Sequence, residues 1–214
     1  MAAPAPEPEA NRPTLRERQR QRTRGEISQA ALDLFEAQGV EGTTVDDIAH
    51  RAGVSPRTFF RHFAMKEDAA LLIHHDFDGA LHSHLGQGEN RSPLATLCSV
   101  YSQVLANYGR GDGEAARQML RVRALMLTSP TLRTASLRLD AQRAQELLEH
   151  FMPAGDRNAR EELRIRMAVE TTAAAVRVTL TIWNDLYNRG TPVDAAHLFA
   201  EALDSAGIRP TAEQ

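Results

Sequence analysis

Apolar positions recur at helical spacing along most of the chain. Ile27, Ala30, Ala31, Leu34 and Phe35 mark one stripe on a helix spanning 14–38, and Gly39 stops it. Two short helices follow, near 44–52 and 56–62. A fourth starts near Met65 and runs to about residue 85, with Leu71, Leu72, Phe77 and Leu81 as its apolar members. Gly86, Gly88 and Asn90 break it. Beyond that point no convincing strand interrupts the helical pattern. Ser92-Pro93 opens a segment to about residue 108, closed by Gly109, Gly111 and Gly113. Residues 114–128 form the next helix, and Ser129-Pro130 ends it while starting another to about residue 152. The longest stretch covers 157–188, ended by Gly190, and the last covers 192–206. The pattern predicts an all-α protein of about nine helices. A small N-terminal three-helix unit precedes a larger helical domain. The expected partition is a disordered tail over 1–13, the small unit over 14–64 and the larger one over 65–214.

The stretch 157–188 is apolar on two sides. Ile165, Val169, Thr172, Val176, Leu180, Trp183 and Tyr187 form one line, and Met167, Ala174, Val178 and Ile182 fall largely on another. A helix apolar on two sides is buried on two sides. One side can pack on its own domain and the other on a second subunit, with Val193, Ala196, Phe199, Ala200 and Leu203 of the last helix beside it. A wholly intramolecular core helix is the alternative.

Residues 43–66, TTVDDIAHRAGVSPRTFFRHFAMK, read as two short helices joined by a tight turn. Thr44 can N-cap the first, with Asp47 completing a capping box. Gly53 in the turn can take a left-handed conformation. Ser55 is a second N-cap, and Pro56 sits at the first helical position, where its missing N–H does no harm. Arg57, Thr58, Arg61 and His62 are left to face outward, while Ile48, Phe59 and Phe63 recur where helices pack. This is a helix-turn-helix whose second helix suits a DNA groove.

The net charge of −3 sits oddly with DNA until it is divided. Residues 12–66 hold nine arginines and Lys66 against seven acids, a balance of +3. The first eleven residues carry −2 and residues 67–214 carry −4. The basic surplus is therefore confined to the segment with the motif, where phosphate attraction is needed. No apolar run approaches the roughly 20 residues of a membrane span. Cys98 is the only cysteine, so neither an intrachain disulfide nor a thiolate metal cage can form. The N-terminal residues lack a signal-peptide layout, and a cytoplasmic location is expected.

Taken together, Ile27-x-x-Ala30-Ala31-Leu32-x-Leu34-Phe35, Gly39, Thr43-Thr44-Val45, Ile48-Ala49, Ala52-Gly53-Val54-Ser55, Thr58, Phe63 and Lys66-Glu67 resemble the TetR family of transcriptional regulators. The match covers about residues 22–68. The resemblance implies a homodimer, usually a repressor, that binds a palindromic operator in double-stranded DNA and releases it when a small molecule enters the C-terminal domain. The two-sided helix 157–188, with 192–206 beside it, is where that pairing is expected. The candidate DNA contacts are Thr43, Thr44, Ser55, Pro56, Arg57, Thr58, Phe60, Arg61, His62 and Lys66. Among these, Thr44 and Lys66 match family positions that meet phosphates at helix N-termini. His62 matches a backbone-contacting position. Family members generally carry Tyr where this chain has Phe60, which has no hydroxyl for a phosphate but can touch a thymine methyl. Arg57 and Arg61 suit base reading, since Arg can bind guanine O6 and N7 together. Residues 58–63, TFFRHF, are similar to an actinobacterial branch related to the mycofactocin-cluster regulator, some of which sense acyl-CoA-like ligands.

Two features stay open at this level. Arg16, Arg18, Arg20, Arg22 and Arg24 suit either an arm following the minor groove or phosphates, or a solvated helix start. In the effector domain, Arg123, Thr172, Arg177 and Asn184 are polar groups in apolar runs, near Met126, Trp183 and Tyr187. Arg123, Met126, Thr172, Arg177, Trp183 and Asn184 are the candidate ligand contacts. Arg177 can pair with a ligand carboxylate or phosphate; an interface salt bridge or a solvated edge would also account for it. His74, Asp78 and His82 lie four residues apart, but a run of surface histidines explains them as well, so no metal and no cofactor is expected. No nucleophile motif, phosphate-binding glycine loop or paired catalytic carboxylate is present, which argues against an enzyme. An activator or an architectural DNA-binding factor without an effector is the alternative reading.

Overall fold

The computed structural model describes residues 14–71, 79, 92–152 and 158–209. Among the described residues it holds nine helices and no strand. They are α1 (Leu15–Gln38), α2 (Val45–Arg51), α3 (Pro56–His62), α4 (Lys66–Ala70), α5 (Pro93–Ala106), α6 (Glu114–Thr128), α7 (Pro130–Phe151), α8 (Ala159–Asn188) and α9 (Ala195–Ser205). The all-α expectation holds. The run expected after Leu71, with His74, Asp78 and His82, lies outside the described residues.

Local chemistry starts these helices where the sequence suggested. The Thr44 side chain accepts from the Asp47 N–H while Asp47 accepts from the Thr44 N–H, closing a capping box on α2. Ser55, Ser92 and Ser129 each accept at an N-terminus whose first helical residue is proline. Gly53 turns the chain between α2 and α3 at φ 68°, a conformation that strains any side chain. Thr14 and Glu17 close another capping box, so the arginines of residues 16–24 belong to a regular helix from its first turn. That favours the helix-start reading over an extended arm for this segment.

Two hydrophobic clusters hold the molecule together. One joins α1 to α4 through Ile27, Leu32, Phe35, Ile48, Phe59, Phe63 and Leu71, all nearly inaccessible. It also takes in Val122 and Leu125 of α6 with Leu132 and Ala135 of α7. The other fills the C-terminal domain around Leu97, Tyr101, Leu105, Ile165, Trp183 and Phe199. Fully burying one such side chain contributes about 1.5–3 kcal/mol. Trp183 also donates from Nε1 to the Gly109 carbonyl at 3.2 Å, so its polar atom is satisfied. Gly111, at φ 101°, lies against Tyr187; a Cβ there would stand 2.4 Å from the ring.

The first cluster crosses the expected partition, and polar contacts cross it too. Arg121 of α6 reaches Asp33 and Glu36 of α1. Gln118 of α6 donates to Ser28 of α1 at 3.1 Å. Thr131 donates to Glu41 at 2.8 Å, and Arg138 of α7 pairs with Asp68 of α4. The small unit is therefore docked on α6 and α7 through apolar and charged contacts together.

Candidate functional site

The outer face of α3 is short of partners. Arg57 and Arg61 are exposed and form no ion pair among the described residues. Phe60 is 58% exposed and meets Phe59 edge-on, with ring centroids 5.5 Å apart. Phe59 itself is fully buried, so α3 is seated by one aromatic and presents the next. Ser55 and Thr58 share a hydroxyl contact of 3.0 Å at the exposed start of the helix. Pro56 is exposed beside them. This is a rigid helix offering cations and one apolar ring outward, which is what major-groove reading requires.

At the other end of α3, His62 is half-buried and its Nδ1 has no hydrogen-bond partner. Burial, then the positive charges of Arg61, Arg20 and Arg24, lower its pKa from the ordinary 6.5. Arg24 also lies over the Phe63 ring, 5.3 Å from its centroid. The cations of α1 thus stand beside the end of α3, which could not be read from the sequence because 38 residues separate Arg24 from His62.

Thr43, Thr44 and Lys66, at the entrance of the helix-turn-helix, are placed differently from one another. Thr44 is exposed at the α2 N-terminus. Thr43 is 1% exposed, and its hydroxyl donates to the Gly39 carbonyl at 2.8 Å. It braces the α1–α2 loop, and its side chain has little surface left to offer DNA. Lys66 donates from Nζ to the carbonyls of Val40 and Thr43, at 2.6 and 2.7 Å. Two of its three donors are spent on that loop. The residue ties the start of α4 to the entrance of the helix-turn-helix.

The C-terminal domain holds a cavity of about 100 Å³ between α5, α6, α7 and α8. Val104, Leu105, Val122, Val176 and Leu180 supply apolar wall, and of the candidate ligand contacts Arg123, Met126 and Arg177 line it. Thr172, Trp183 and Asn184 do not. Thr172 is fully buried and donates back to the Ala168 carbonyl at 2.7 Å; Trp183 is core, and Asn184 is buried away from the cavity. Sequence reasoning missed Tyr101, Tyr108, Ser136, Asp140 and Arg143, which also line it. The signal available was Asp140 and Arg143, one turn apart in α7.

Electrostatics in the cavity follow from burial. Desolvation lowers the Arg123 pKa against the pull of Asp185, and raises that of Asp140 against Arg143 and Arg177. Arg143 and Asp140 approach to 3.7 Å. Arg123 donates to the Thr181 hydroxyl at 2.6 Å. Among the described residues no cluster of His, Cys, Asp or Glu could hold a metal. Nor is any helix among them long and apolar enough to cross a membrane. Cys98 is buried, and burial pushes its thiol up to about 11.

On the outer side of α8, Leu163, Met167, Val178 and Ile182 are exposed, from 62% down to 43%. A groove between α8 and α9, lined by Ala174, Val178, Ile182, Leu198, Ala202 and Ile208, continues that face. Ile165, Val169, Thr172 and Trp183 bury the inner side. The helix has the two apolar sides expected of it.

The family model for bacterial regulatory proteins of the tetR family matches residues 27–77. The chain is 35% identical over 207 residues to the HTH-type transcriptional regulator TcmR of Streptomyces glaucescens, covering 94% of this chain and 88% of that protein. It is 32% identical over 125 residues to MftR of Mycobacterium tuberculosis, described as a mycofactocin biosynthesis transcriptional regulator, covering 58% and 61% of the two chains. The crystal structure of a regulator from Rhodococcus sp., described as TetR-family, superposes with a TM-score of 0.49 at 17% identity, covering 89% of this chain and 100% of that one. With TcmR matched over most of both chains and the helix-turn-helix in its expected place, the chain belongs to the TetR family of bacterial transcriptional regulators.

Proposed function

We propose that this regulator is a homodimeric repressor that binds a palindromic operator and leaves it when a small molecule enters the α5–α8 cavity. The observation that carries the release step is the double role of α6. Arg123, Met119, Val122 and Met126 of this helix line the cavity, while Arg121 and Gln118 grip α1 of the DNA-binding unit. A ligand that moves α6 acts on the seat of the reading head without touching it. Residues 14–64 are the reading unit, and 65–214 carry the cavity and the dimer face.

The exposed face of α8 with α9 suits isologous pairing, since an apolar face of this kind needs cover. Two reading helices then meet two half-sites related by the same twofold axis. Within each half-site, Arg57, Phe60 and Arg61 read bases, while Thr44, Ser55, Thr58 and His62 lie where phosphates run. Selection of binding duplexes from a random pool tests the reading. The expected result is a palindromic consensus occupied by two chains, with release by members of a small-molecule panel. Sites without symmetry, or operator binding that no compound in the panel weakens, argue for a factor of a different kind.

A further inference from the structure

We infer that the cavity selects an acidic ligand: a compact apolar body carrying one anionic group, held between Arg123 and Arg177. This rests on the cavity being the effector site. Three of its four bounding helices each contribute one arginine, Arg123 from α6, Arg143 from α7 and Arg177 from α8. Asp140 is the single acid among the described lining residues. Those residues therefore carry a surplus of two positive charges when Asp140 is ionised. Desolvation weighs on the charged forms of Asp140 and Arg123 alike.

The partners of the arginines sharpen the assignment. Arg143 is the one in an ion pair with Asp140, at 3.7 Å. Arg123, half-buried, has a neutral partner in its 2.6 Å bond to the Thr181 hydroxyl. That hydroxyl in turn donates to the Arg177 carbonyl at 2.8 Å, tying the two arginine positions together. The Arg177 side chain forms no ion pair among the described residues and is exposed where it lines the cavity. A desolvated cation is costly without an anion, and a guanidinium matches a carboxylate or sulfonate with parallel hydrogen bonds. Apart from Ser136, the remaining described wall is apolar with two tyrosines, Tyr101 and Tyr108, which fits a body that is flat or compact.

A matched pair of dyes tests the charge preference. Anilinonaphthalene sulfonate and phenylnaphthylamine share one aromatic body and differ by the sulfonate. Fluorescence titration of the full chain should show the sulfonate binding at least about tenfold tighter. Arg177→Gln and Arg123→Gln should each remove most of that preference while leaving the neutral dye's affinity within about twofold, and Arg177→Lys should restore part of it. Equal affinities for the two dyes, or a preference that survives both Gln variants, overturns the proposal. Ala173→Trp, which fills the cavity, separates the two levels of inference. If it abolishes binding of the neutral dye but no sulfonate preference exists, the charge assignment alone fails. If neither dye responds to it, the cavity is not where such molecules bind, and both readings fall.

Discussion

Arg121 donates to both carboxylate oxygens of Glu36, from Nε to Oε1 at 2.7 Å and from Nη2 to Oε2 at 2.8 Å. The same guanidinium reaches Asp33 at 2.7 Å, and Asp33 also meets Arg51 of α2 at 3.4 Å. Glu36 is the main reason the Arg121 pKa is raised, with Asp33 adding to it. One cation thus pins α1 to α6 and, through a shared acid, touches the helix-turn-helix. Arg121→Ala should lower stability by about 1–2 kcal/mol, the range for losing charge-assisted bonds at a partly exposed site. In operator-release assays the variant should keep ligand affinity and lose sensitivity of DNA binding to ligand. Release unchanged from the parent chain would put the coupling elsewhere.

Lys66 gives a second expectation, and it separates anchoring from phosphate contact. Lys66→Met takes the Nζ donor from both the Val40 and the Thr43 carbonyl, and the first keeps only the Thr43 N–H at 3.4 Å. A loss of about 1–3 kcal/mol in unfolding free energy is expected. Because Nζ is turned onto the loop, the salt dependence of operator binding should keep its slope. A slope shallower by about one unit would instead assign a phosphate contact to this lysine.

Arg57 stands exposed on the first turn of α3. Arg57→Ala should cost about 1–3 kcal/mol on the preferred operator and relax selection at one base pair in each half-site. Competition binding against single-position operator variants measures this directly. A uniform loss across all variants would make Arg57 a phosphate contact.

His62 sets a pH dependence of stability. Burial first, then Arg61, Arg20 and Arg24, holds its folded pKa below the ordinary 6.5. Well above that value the ring is neutral in both states and the full stability is present. As pH falls through 6.5 toward the lower folded value, the unfolded chain takes up the proton first and stability declines. His62→Gln should flatten the fall in melting temperature between about pH 7 and about pH 5. An unchanged profile would remove His62 from the account.

The outer face of α8 supplies the last expectation. Val178→Glu or Ile182→Glu places a charge on an exposed apolar face that we assign to the dimer. Light scattering should report a monomer, and operator affinity should drop by more than about tenfold, because one reading unit loses the avidity of two. A variant that remains dimeric would move the interface to another surface.

What could be read in the sequence was local. Thr44 with Asp47, Ser55 with Pro56 and Ser129 with Pro130 mark helix starts because each cap is made within four residues. The seating of Phe59 and Phe63 and the two apolar sides of α8 followed from periodicity alone. Contacts between distant segments were out of reach. Lys66 meets a carbonyl 26 residues away, and Arg121 meets an acid 85 away. Thr172 resembles Arg177 in the sequence as a polar residue among apolar ones. Yet its hydroxyl closes on its own helix, while Arg177 lines the cavity. Which of the two faces outward depends on how α8 is rotated against α5 and α7. No pattern along one strand of sequence records that angle.

On the proposed release mechanism, the position of α6 also binds operator and small molecule in a reciprocal relation. If occupancy of the cavity weakens operator affinity by some factor, the operator must weaken occupancy of the cavity by the same factor. DNA is then an antagonist of the small molecule. A dissociation constant measured on the free protein will overstate how readily the molecule is taken up by protein already seated on its operator. Arg121 and Arg123, two residues apart on one helix, stand at the two ends of that exchange.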